Sequence, residues 1–265
     1  MSKRRNEDTS PKEEVVHVHS SSRYSRSPES LRRAIEDYIA AGADVITFTE
    51  VAASPREKPL YSFKGWGALT GDLHARNDGG IMWDTTKWVA LEEFNHEIAT
   101  VSWFTTRGHK FPNIAATSVI LKSILTGKTM LVSVAHMPPA VQGPTGFLGM
   151  PRRLAAYASA LEGWRTFWRT QRREKNLDGL MIVADWNLDL RLPWVRAYFN
   201  QNFPKFDVVW EGRGEFPDKR TGTTGSGKII DFTMIKGKLD RLYGPTILPD
   251  DDSSDHRPYR ETLAL

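Results

Sequence analysis

The feature that most constrains the fold of this sequence is a strand–helix–strand pattern close to its start. Residues 14–20 read EVVHVHS and residues 43–51 read ADVITFTEV, and both are short apolar runs typical of strands. The intervening SPESLRRAIEDYIAAG predicts a helix that Ser27 caps and Pro28 begins. The second strand is apolar throughout, as in sheets that are covered on both faces. The pattern therefore predicts an α/β fold.

The rest of the chain continues this alternation. A long helix is predicted from about Pro151 to Lys175, where apolar residues recur at helical spacing. Strand-like runs cover residues 79–84, 87–94, 96–106, 114–124, 128–136, 178–187 and 228–237. No internal repeat and no linker rich in Pro, Gly or Ser divides the sequence. We therefore expect a disordered polar tail over residues 1–13, where the charges cancel, and one α/β domain over residues 14–265.

Composition limits the chemistry and the location that we expect. The 265 residues include no cysteine, which excludes disulfides, thiolate metal sites and cysteine nucleophiles. Any metal must then be bound by oxygen and imidazole, a ligand set that suits Mg²⁺, Mn²⁺ or Ca²⁺. The N-terminal residues lack an apolar signal region and no run is long enough to span a membrane, so we expect a cytoplasmic protein without membrane contact. The net charge of +4 is compatible with a polyanionic substrate.

Polar, chemically useful residues follow several of the predicted buried strands. They are Glu50, His136, Asp185, Asn187, Asp231, Asp255 and His256. Burying a carboxylate is costly unless it is paired or bound to a cation. So many of them together predict a common cleft at one edge of the sheets, where carboxylates share a metal and histidines contact phosphate.

The pair His17 and His19 permits two interpretations. Residues two apart lie on the same face of a strand, so both imidazoles point the same way and resemble a metal site. The same spacing also occurs in an ordinary half-buried strand. The pair by itself does not separate these interpretations.

The ordered set of strand-end residues resembles the endonuclease/exonuclease/phosphatase superfamily, which includes deoxyribonuclease I-like and exonuclease III-like nucleases and several phosphatases. The segments ADWN and SDHRP carry the resemblance most specifically. It implies a four-layer α/β/β/α sandwich with two facing mixed β-sheets over nearly the whole chain. The sequence departs from the family pattern at Thr49, where Gln is usual, at Ala184, where Gly is usual, and near His19 or Ser20, where Asn is usual.

The resemblance also implies roles for individual residues. Glu50 and Asp255 would bind Mg²⁺, with Mn²⁺ as an alternative, and His19 would lie near the metal or the phosphate, whereas His17 is interpreted as a core histidine. Asp185 would orient or deprotonate the attacking water, and Asn187 would bind a phosphate oxygen. Asp231 would pair with His256, and His136 would donate to the phosphate or leaving group. The candidates for substrate contact are Arg23, Tyr24, Thr224, Ser226 and Lys228.

Three functions remain open at this stage. The leading one is a divalent-metal-dependent phosphodiesterase that hydrolyses nucleic acid, with DNA favoured and no obligatory protein partner. The alternatives are a phosphatase or phosphodiesterase for a small or lipid-linked phosphate ester, and a non-catalytic nucleic-acid-binding module. The opening HVHSSSRYSRSPESL also resembles the polymerase-and-histidinol-phosphatase family, but Glu50-Val51 stands where that family has Asp-His, and the chain has few histidines for its metals.

Two further features of the sequence have simple structural interpretations. Asp189 is predicted to be a structural cap. The cationic run on the long helix is predicted to be a solvated face, with a phosphate track as the alternative; its members are Arg165, Arg169, Arg172, Arg173 and Lys175.

Overall fold

A computed structural model of the chain describes residues 12–21, 27–51, 58–71, 78–100, 113–139, 151–209, 222–224, 227–249 and 256–265. The helices within these ranges are α1 (Pro28–Ala40), α2 (Pro151–Lys175) and α3 (Pro193–Asn202). The first strands are β1 (Glu14–Ser21), β2 (Val45–Thr49), β3 (Trp66–Thr70), β4 (Gly80–Asp84), β5 (Trp88–Ala99) and β6 (Ile114–Ser123). They are followed by β7 (Thr129–His136), β8 (Gly179–Asp185), β9 (Asp207–Val208), β10 (Asp231–Gly237), β11 (Asp240–Ile247) and β12 (Tyr259–Ala264).

The described strands form two six-stranded sheets. The first has the order β11-β12-β1-β2-β4-β3 and the second has the order β5-β6-β7-β8-β10-β9. Each sheet contains one parallel pair, β1–β2 in the first and β7–β8 in the second, and its other pairs are antiparallel. The last strand, β12, thus pairs with the first strand, β1, inside one sheet.

Three apolar clusters separate four layers. Helix α1 packs on the first sheet through Leu31 and Ile35. A second cluster, which includes Val15 of β1 and Val132 of β7, fills the space between the sheets. Helices α2 and α3 pack on the outer face of the second sheet around Trp164. The predicted α/β/β/α sandwich with two facing mixed sheets is confirmed.

The structure differs from the sequence expectations in several elements. The runs predicted at 87–94 and 96–106 contribute to one strand, β5, which continues through Asn95 and ends at Ala99, and residues 101–106 lie outside the described residues. The Asn95 side chain donates to the Thr70 carbonyl. Strands β3, β9, β11 and β12 and helix α3 were not predicted. Strand β11 is largely exposed and irregular, so it lacks the apolar alternation that reveals a strand.

The contact between α2 and β5 is unusually close. Gly163 lies in the middle of α2, and a Cβ atom at this position would overlap the carbonyl oxygen of Ile98. Beside it, the ring of His96 stacks on Phe167 with 3.7 Å between centroids. Glycine is thus required here by packing, although it is a poor helix former.

Near the ends of the described chain, Lys12 and Glu13 already contact the first sheet. Lys12 pairs with Asp240 at 3.1 Å, and the Glu13 amide donates to the Leu265 carbonyl. Residues 1–11 of the predicted tail lie outside the described residues. Among the described helices, none combines the length and the apolar character that a membrane crossing requires.

Candidate active site

Three of the predicted residues come from neighbouring strands of the second sheet and lie at the same edge. Asp185 is the last residue of β8, where it is opposite His136 on the parallel strand β7 and opposite Asp231 on the antiparallel strand β10. All three side chains are buried. His136 Nε2 lies 3.6 Å from Asp185 Oδ2. The site is therefore built by strand register.

Asp231 binds His256 directly. His256 Nδ1 lies 2.8 Å from Asp231 Oδ2, and the Ser21 hydroxyl donates to the other carboxylate oxygen at 2.5 Å. His256 is held in place by a β-bridge to Thr224, and the neighbouring Thr223 hydroxyl accepts the Asp231 amide. The contact at Nδ1 fixes the orientation of the His256 ring relative to Asp231.

The two aspartates have opposite electrostatic environments. Burial and the charge of Asp231 raise the pKa of Asp185 to about 7, against weaker opposing effects of His136 and His256. Burial would also raise the pKa of Asp231, but the charge of His256 and the adjacent His19 ring outweigh it and hold that pKa well below its usual range. Two carboxylates that titrate at different pH can perform different tasks.

Glu50 and His136 connect the site to the first sheet. Glu50 follows β2 with a positive φ of 60°, and its Oε1 lies 3.8 Å from His136 Nδ1. The same nitrogen is 3.0 Å from Asp78 Oδ2, just before β4. His136 thus lies between carboxylates on both sides.

The turn after β8 is fixed by the residues of the ADWN segment. Asn187 has a positive φ of 52°, its amide donates to Asp185 Oδ1 at 2.9 Å, and its side chain donates to the Met137 carbonyl at 2.9 Å. Trp186 is fully buried and its indole donates to the Phe232 carbonyl. The buried indole anchors the turn, and the turn orients the Asp185 carboxylate.

Behind Asp231, a line of polar side chains runs between the two sheets. Thr47 is the shared centre of this line: its Oγ1 lies 2.8 Å from His17 Nε2 and 2.8 Å from His19 Nδ1. At the inner end, His17 Nδ1 lies 2.7 Å from Glu261 Oε1, and at the outer end His19 Nε2 is 3.8 Å from Asp231 Oδ1. Burial lowers the pKa of His19. The two histidines therefore form a buried polar line that ends at Asp231.

Solved structures with the same arrangement of sheets and helices identify the fold. An endonuclease/exonuclease/phosphatase from Bacteroides vulgatus superposes with a TM-score of 0.69 at 12% identity, and the match covers 95% of this chain and 98% of that one. The chain has the endonuclease/exonuclease/phosphatase fold. The sequence itself gives no such match, since no protein-family model and no curated protein matches it.

Other proteins with this fold differ in their described activities. A mannosyl-6-phosphatase from Bacteroides thetaiotaomicron matches with a TM-score of 0.68 at 13% identity, over 95% of this chain and all of that one (100%). TDP2 from D. rerio, in complex with a single-strand DNA product, matches with a TM-score of 0.64 at 14% identity, over 94% and 98% of the two chains. The fold therefore carries phosphate-ester chemistry on more than one kind of molecule.

On this endonuclease/exonuclease/phosphatase fold, the structure brings together most of the predicted residues that it describes. The residues Asp185, Asn187, His136, Asp231 and His256 lie together at one edge of the second sheet, and Glu50 lies beside His136. The Thr224 hydroxyl accepts the Lys228 amide within a tight turn, and the Lys228 side chain is exposed. Four predicted positions, Arg23, Tyr24, Ser226 and Asp255, lie outside the described residues.

Three further residues that the sequence analysis considered are buried and bonded to neighbouring residues: His17, His19 and Asp189. His17 is fully buried between Glu261 and Thr47, as predicted for a core histidine, and His19 lies behind Asp231, with 1% of its surface exposed. Asp189 accepts from Arg191 and from the Ile229 amide, so its bonds are structural, but it does not cap α3 as predicted, because the N-cap of that helix is Leu192, without a side-chain hydrogen bond.

Four polar residues of the site were not identified from the sequence. They are Ser21, Thr47, Asp78 and Thr223. The sequence around Ser21, Thr47 and Thr223 contains no signal that distinguishes them from other serine and threonine residues. Asp78 precedes the pair Gly79-Gly80 before a strand, and this was the one available signal, since glycines next to an acidic residue often allow close backbone approach.

The donor set fits a hard divalent cation. One ligand atom from each of Asp185, Asp231 and His256 falls within 4.8 Å of the others. Carboxylate oxygens with imidazole are ligands that Mg²⁺ and Mn²⁺ accept. Glu50 adds a further carboxylate close to this group through His136, and its side chain is 22% exposed.

Proposed function

We propose that this protein is a divalent-metal-dependent phosphodiesterase that hydrolyses DNA. The observation that carries the proposal is the juxtaposition of Asp185 and Asp231 with opposite pKa shifts, beside two histidines in one cleft. Proteins of the same fold that are described as phosphatases, and one bound to a DNA product, support phosphate-ester hydrolysis.

In the proposed reaction, Asp185 orients the attacking water and accepts its proton. A pKa of about 7 allows this carboxylate to take up a proton near neutral pH. The hydrogen bond from the Asn187 amide fixes the direction of the carboxylate. Asn187 itself is proposed to contact a phosphate oxygen.

His256 and His136 are proposed to contact the phosphate and the leaving oxygen. Asp231 holds His256 through Nδ1 and favours the tautomer with a proton there, or the charged ring. His136, between Asp78 and Asp185, would donate to the leaving oxygen.

Glu50 and Asp255 are proposed to bind the cation, Mg²⁺ or Mn²⁺. When bound, such a cation neutralises the charge that develops on the phosphate. His19 is 3.8 Å behind Asp231 and nearly inaccessible, so we propose that it positions Asp231 and leaves metal binding to the carboxylates. The substrate strand would contact Arg23, Tyr24, Thr224, Ser226 and Lys228 at the mouth of the cleft.

The test is cleavage of supercoiled plasmid and of a short labelled duplex with Mg²⁺, Mn²⁺ or EDTA. Wild-type protein should cut only with metal, and Asp185→Asn should not cut. Asp37→Asn, an exposed residue of α1, is the matched control for the loss of one carboxylate and should cut like wild type. Cutting that survives in Asp185→Asn would mean a contaminating nuclease or another catalytic residue.

A second candidate is a phosphatase for a small phosphate ester. It is favoured by the mannosyl-6-phosphatase, whose TM-score of 0.68 is above the 0.64 of TDP2. The same preparations should be assayed for phosphate release from mannose 6-phosphate and p-nitrophenyl phosphate. Metal-dependent release that Asp185→Asn abolishes, without any DNA cleavage, would replace the DNA proposal, and no turnover on any substrate would favour a binding module.

A further inference from the structure

A basic cavity of about 410 Å³ lies on the outer face of the second sheet, between the C-terminal half of α2 and the end of α3. This volume is within the range of small-molecule sites. Lys236 lines it from β10, and Asp231 lies at the other end of the same strand, five residues away. At about 3.3 Å per residue, the cavity is roughly 17 Å from the catalytic cleft along the strand.

Positively charged side chains line the cavity, and no acidic side chain lies among its described lining residues. Its cationic lining residues are Arg165, Arg169, Arg172, Arg173 and Lys236, and its described lining includes no Asp or Glu. Arg165 pairs with Glu162 and Arg173 with Glu174, both outside the lining. Burial and the nearby charges of Arg172, Lys205 and Arg169 lower the pKa of Lys236, which indicates a local excess of positive charge.

Two buried N–H groups of lining residues lack an acceptor. Trp168 has 1% of its surface exposed, and its indole Nε1 has no hydrogen-bond partner among the described residues. The same holds for the buried Nε of Arg165. An unsatisfied buried donor is unfavourable, and both donors belong to residues that line the cavity.

The remaining wall is apolar and partly aromatic. Phe203, Pro204 and Phe206 line the cavity, and the Lys236 ammonium lies 4.8 Å from the centre of the Phe206 ring. A flat ring can pack on such a wall while an attached anion contacts the guanidinium groups, which is the combination used for single nucleotides.

We propose that this cavity is a second ligand site that binds one nucleotide, with its phosphate on Arg169, Arg172 and Lys236 and its base against the Phe203–Phe206 wall. The cationic stripe of α2 is then a phosphate site, which was the alternative to a solvated face. The nucleotide is either a free mononucleotide or one unit of a nucleic-acid strand. The proposal does not depend on the catalytic reaction, because binding requires neither Asp185 nor a metal.

The test is isothermal titration calorimetry of the full chain in EDTA, with dAMP, 2-deoxyribose 5-phosphate, inorganic phosphate and the oligonucleotide dT12 as probes. The charge-reversal pair Arg169→Glu/Arg172→Glu should weaken binding of dAMP at least tenfold. The pair Lys64→Glu/Lys122→Glu makes the same change in net charge at exposed positions outside the cavity and should leave binding unchanged. If dT12 binds more tightly than dAMP, the natural ligand is a nucleic-acid strand. If dAMP binds more tightly than dT12, the natural ligand is a free nucleotide. Either result supports the site.

A local readout comes from the indole N–H resonance of Trp168, assigned with Trp168→Phe. It should shift when dAMP is added to wild type and should not shift in the Arg169→Glu/Arg172→Glu variant. The proposal is overturned by equal weakening in both charge-reversal pairs, by an unmoved indole resonance, or by inorganic phosphate binding as tightly as dAMP. If the protein cuts no DNA but these shifts occur, the second site stands while the catalytic proposal fails.

Discussion

Asp185 and Asp231 lie directly opposite each other on the antiparallel strands β8 and β10, and their pKa values move in opposite directions. Burial and the charge of the neighbouring Asp231 raise the pKa of Asp185. His256 bonds to Asp231 and, together with His19, stabilises its charge against the effect of burial. The strand register thus creates one carboxylate that stays ionised and one that can accept a proton.

The Asp185→Asn variant tests this division of roles. Loss of the group that accepts a proton should lower kcat about 10²–10⁴-fold. The folded state should be retained, because the amide oxygen can still accept from the Asn187 amide. Steady-state kinetics and circular dichroism measure the two effects, with Asp37→Asn as the control. A variant that is inactive because it is unfolded would leave no circular dichroism signal of the native protein and would not support the role.

The buried line behind Asp231 predicts a large effect of Thr47→Val. A hydroxyl has one proton, so Thr47 can donate to one histidine only and must accept from the other. The substitution keeps the shape but leaves two buried ring nitrogens unpaired, which should lower the free energy of unfolding by about 2–4 kcal/mol.

Urea unfolding measures this loss, and Thr246→Val, at an exposed position of β11, should change stability little. The kcat of Thr47→Val should fall as well, with KM nearly unchanged, because the line supports Asp231. Equal stability of the two variants would contradict the polar line.

His96 predicts a pH dependence of stability. Burial lowers its pKa to about 4 from 6.5, and both ring nitrogens lack a hydrogen-bond partner among the described residues. Between pH 6.5 and 4 the unfolded chain binds a proton here that the folded protein rejects, so stability falls as the pH falls through this window. The full effect is roughly 3 kcal/mol.

The measurement is urea unfolding from pH 4 to pH 7.5 for wild type and His96→Phe, which keeps a ring on Phe167. Other titrating groups contribute equally to both proteins, so the difference isolates His96. The variant should lose less stability than wild type on acidification. Parallel curves would show that the His96 ring titrates normally.

Gly163→Ala should destabilise the protein even though it improves helix propensity. Alanine is favoured over glycine in a helix by about 1 kcal/mol. Its Cβ would overlap the Ile98 carbonyl, however, and would push α2 away from β5. We expect a net loss of about 1–3 kcal/mol in thermal or urea unfolding. Ser159→Ala, on the exposed face of the same helix, should have the opposite sign.

Metal binding predicts a stability change that does not require turnover. A cation that binds only the folded state raises Tm by an amount that grows with the logarithm of its concentration relative to its dissociation constant. Millimolar Mn²⁺ or Mg²⁺ should therefore raise the Tm of wild type, and Glu50→Gln should reduce the increase. Glu36→Gln, exposed on α1, should respond like wild type. A cation effect of the same size in both variants would remove Glu50 from the proposed metal site.

The sequence was sufficient for the parts of this structure that are encoded locally. Apolar strands with polar ends predicted an α/β fold and the edge at which Asp185, His136 and Asp231 meet, whereas the two-sheet sandwich was implied by the family resemblance. In contrast, the pairing of β12 with β1 joins residues about 240 positions apart, and nothing in either segment specifies the other. The role of the Thr47 hydroxyl could not be predicted from the sequence either, because it depends on two histidines of a neighbouring strand.

The position of β12 has a consequence for how the protein is made. The ribosome makes β12 last among the described strands, yet it lies inside the first sheet, between β11 and β1. A growing chain therefore carries β1 with an open edge, and His256 is not yet present to meet Asp231. A chain that stops before these residues lacks both β12 and His256, so its first sheet and the Asp231–His256 pair are still incomplete.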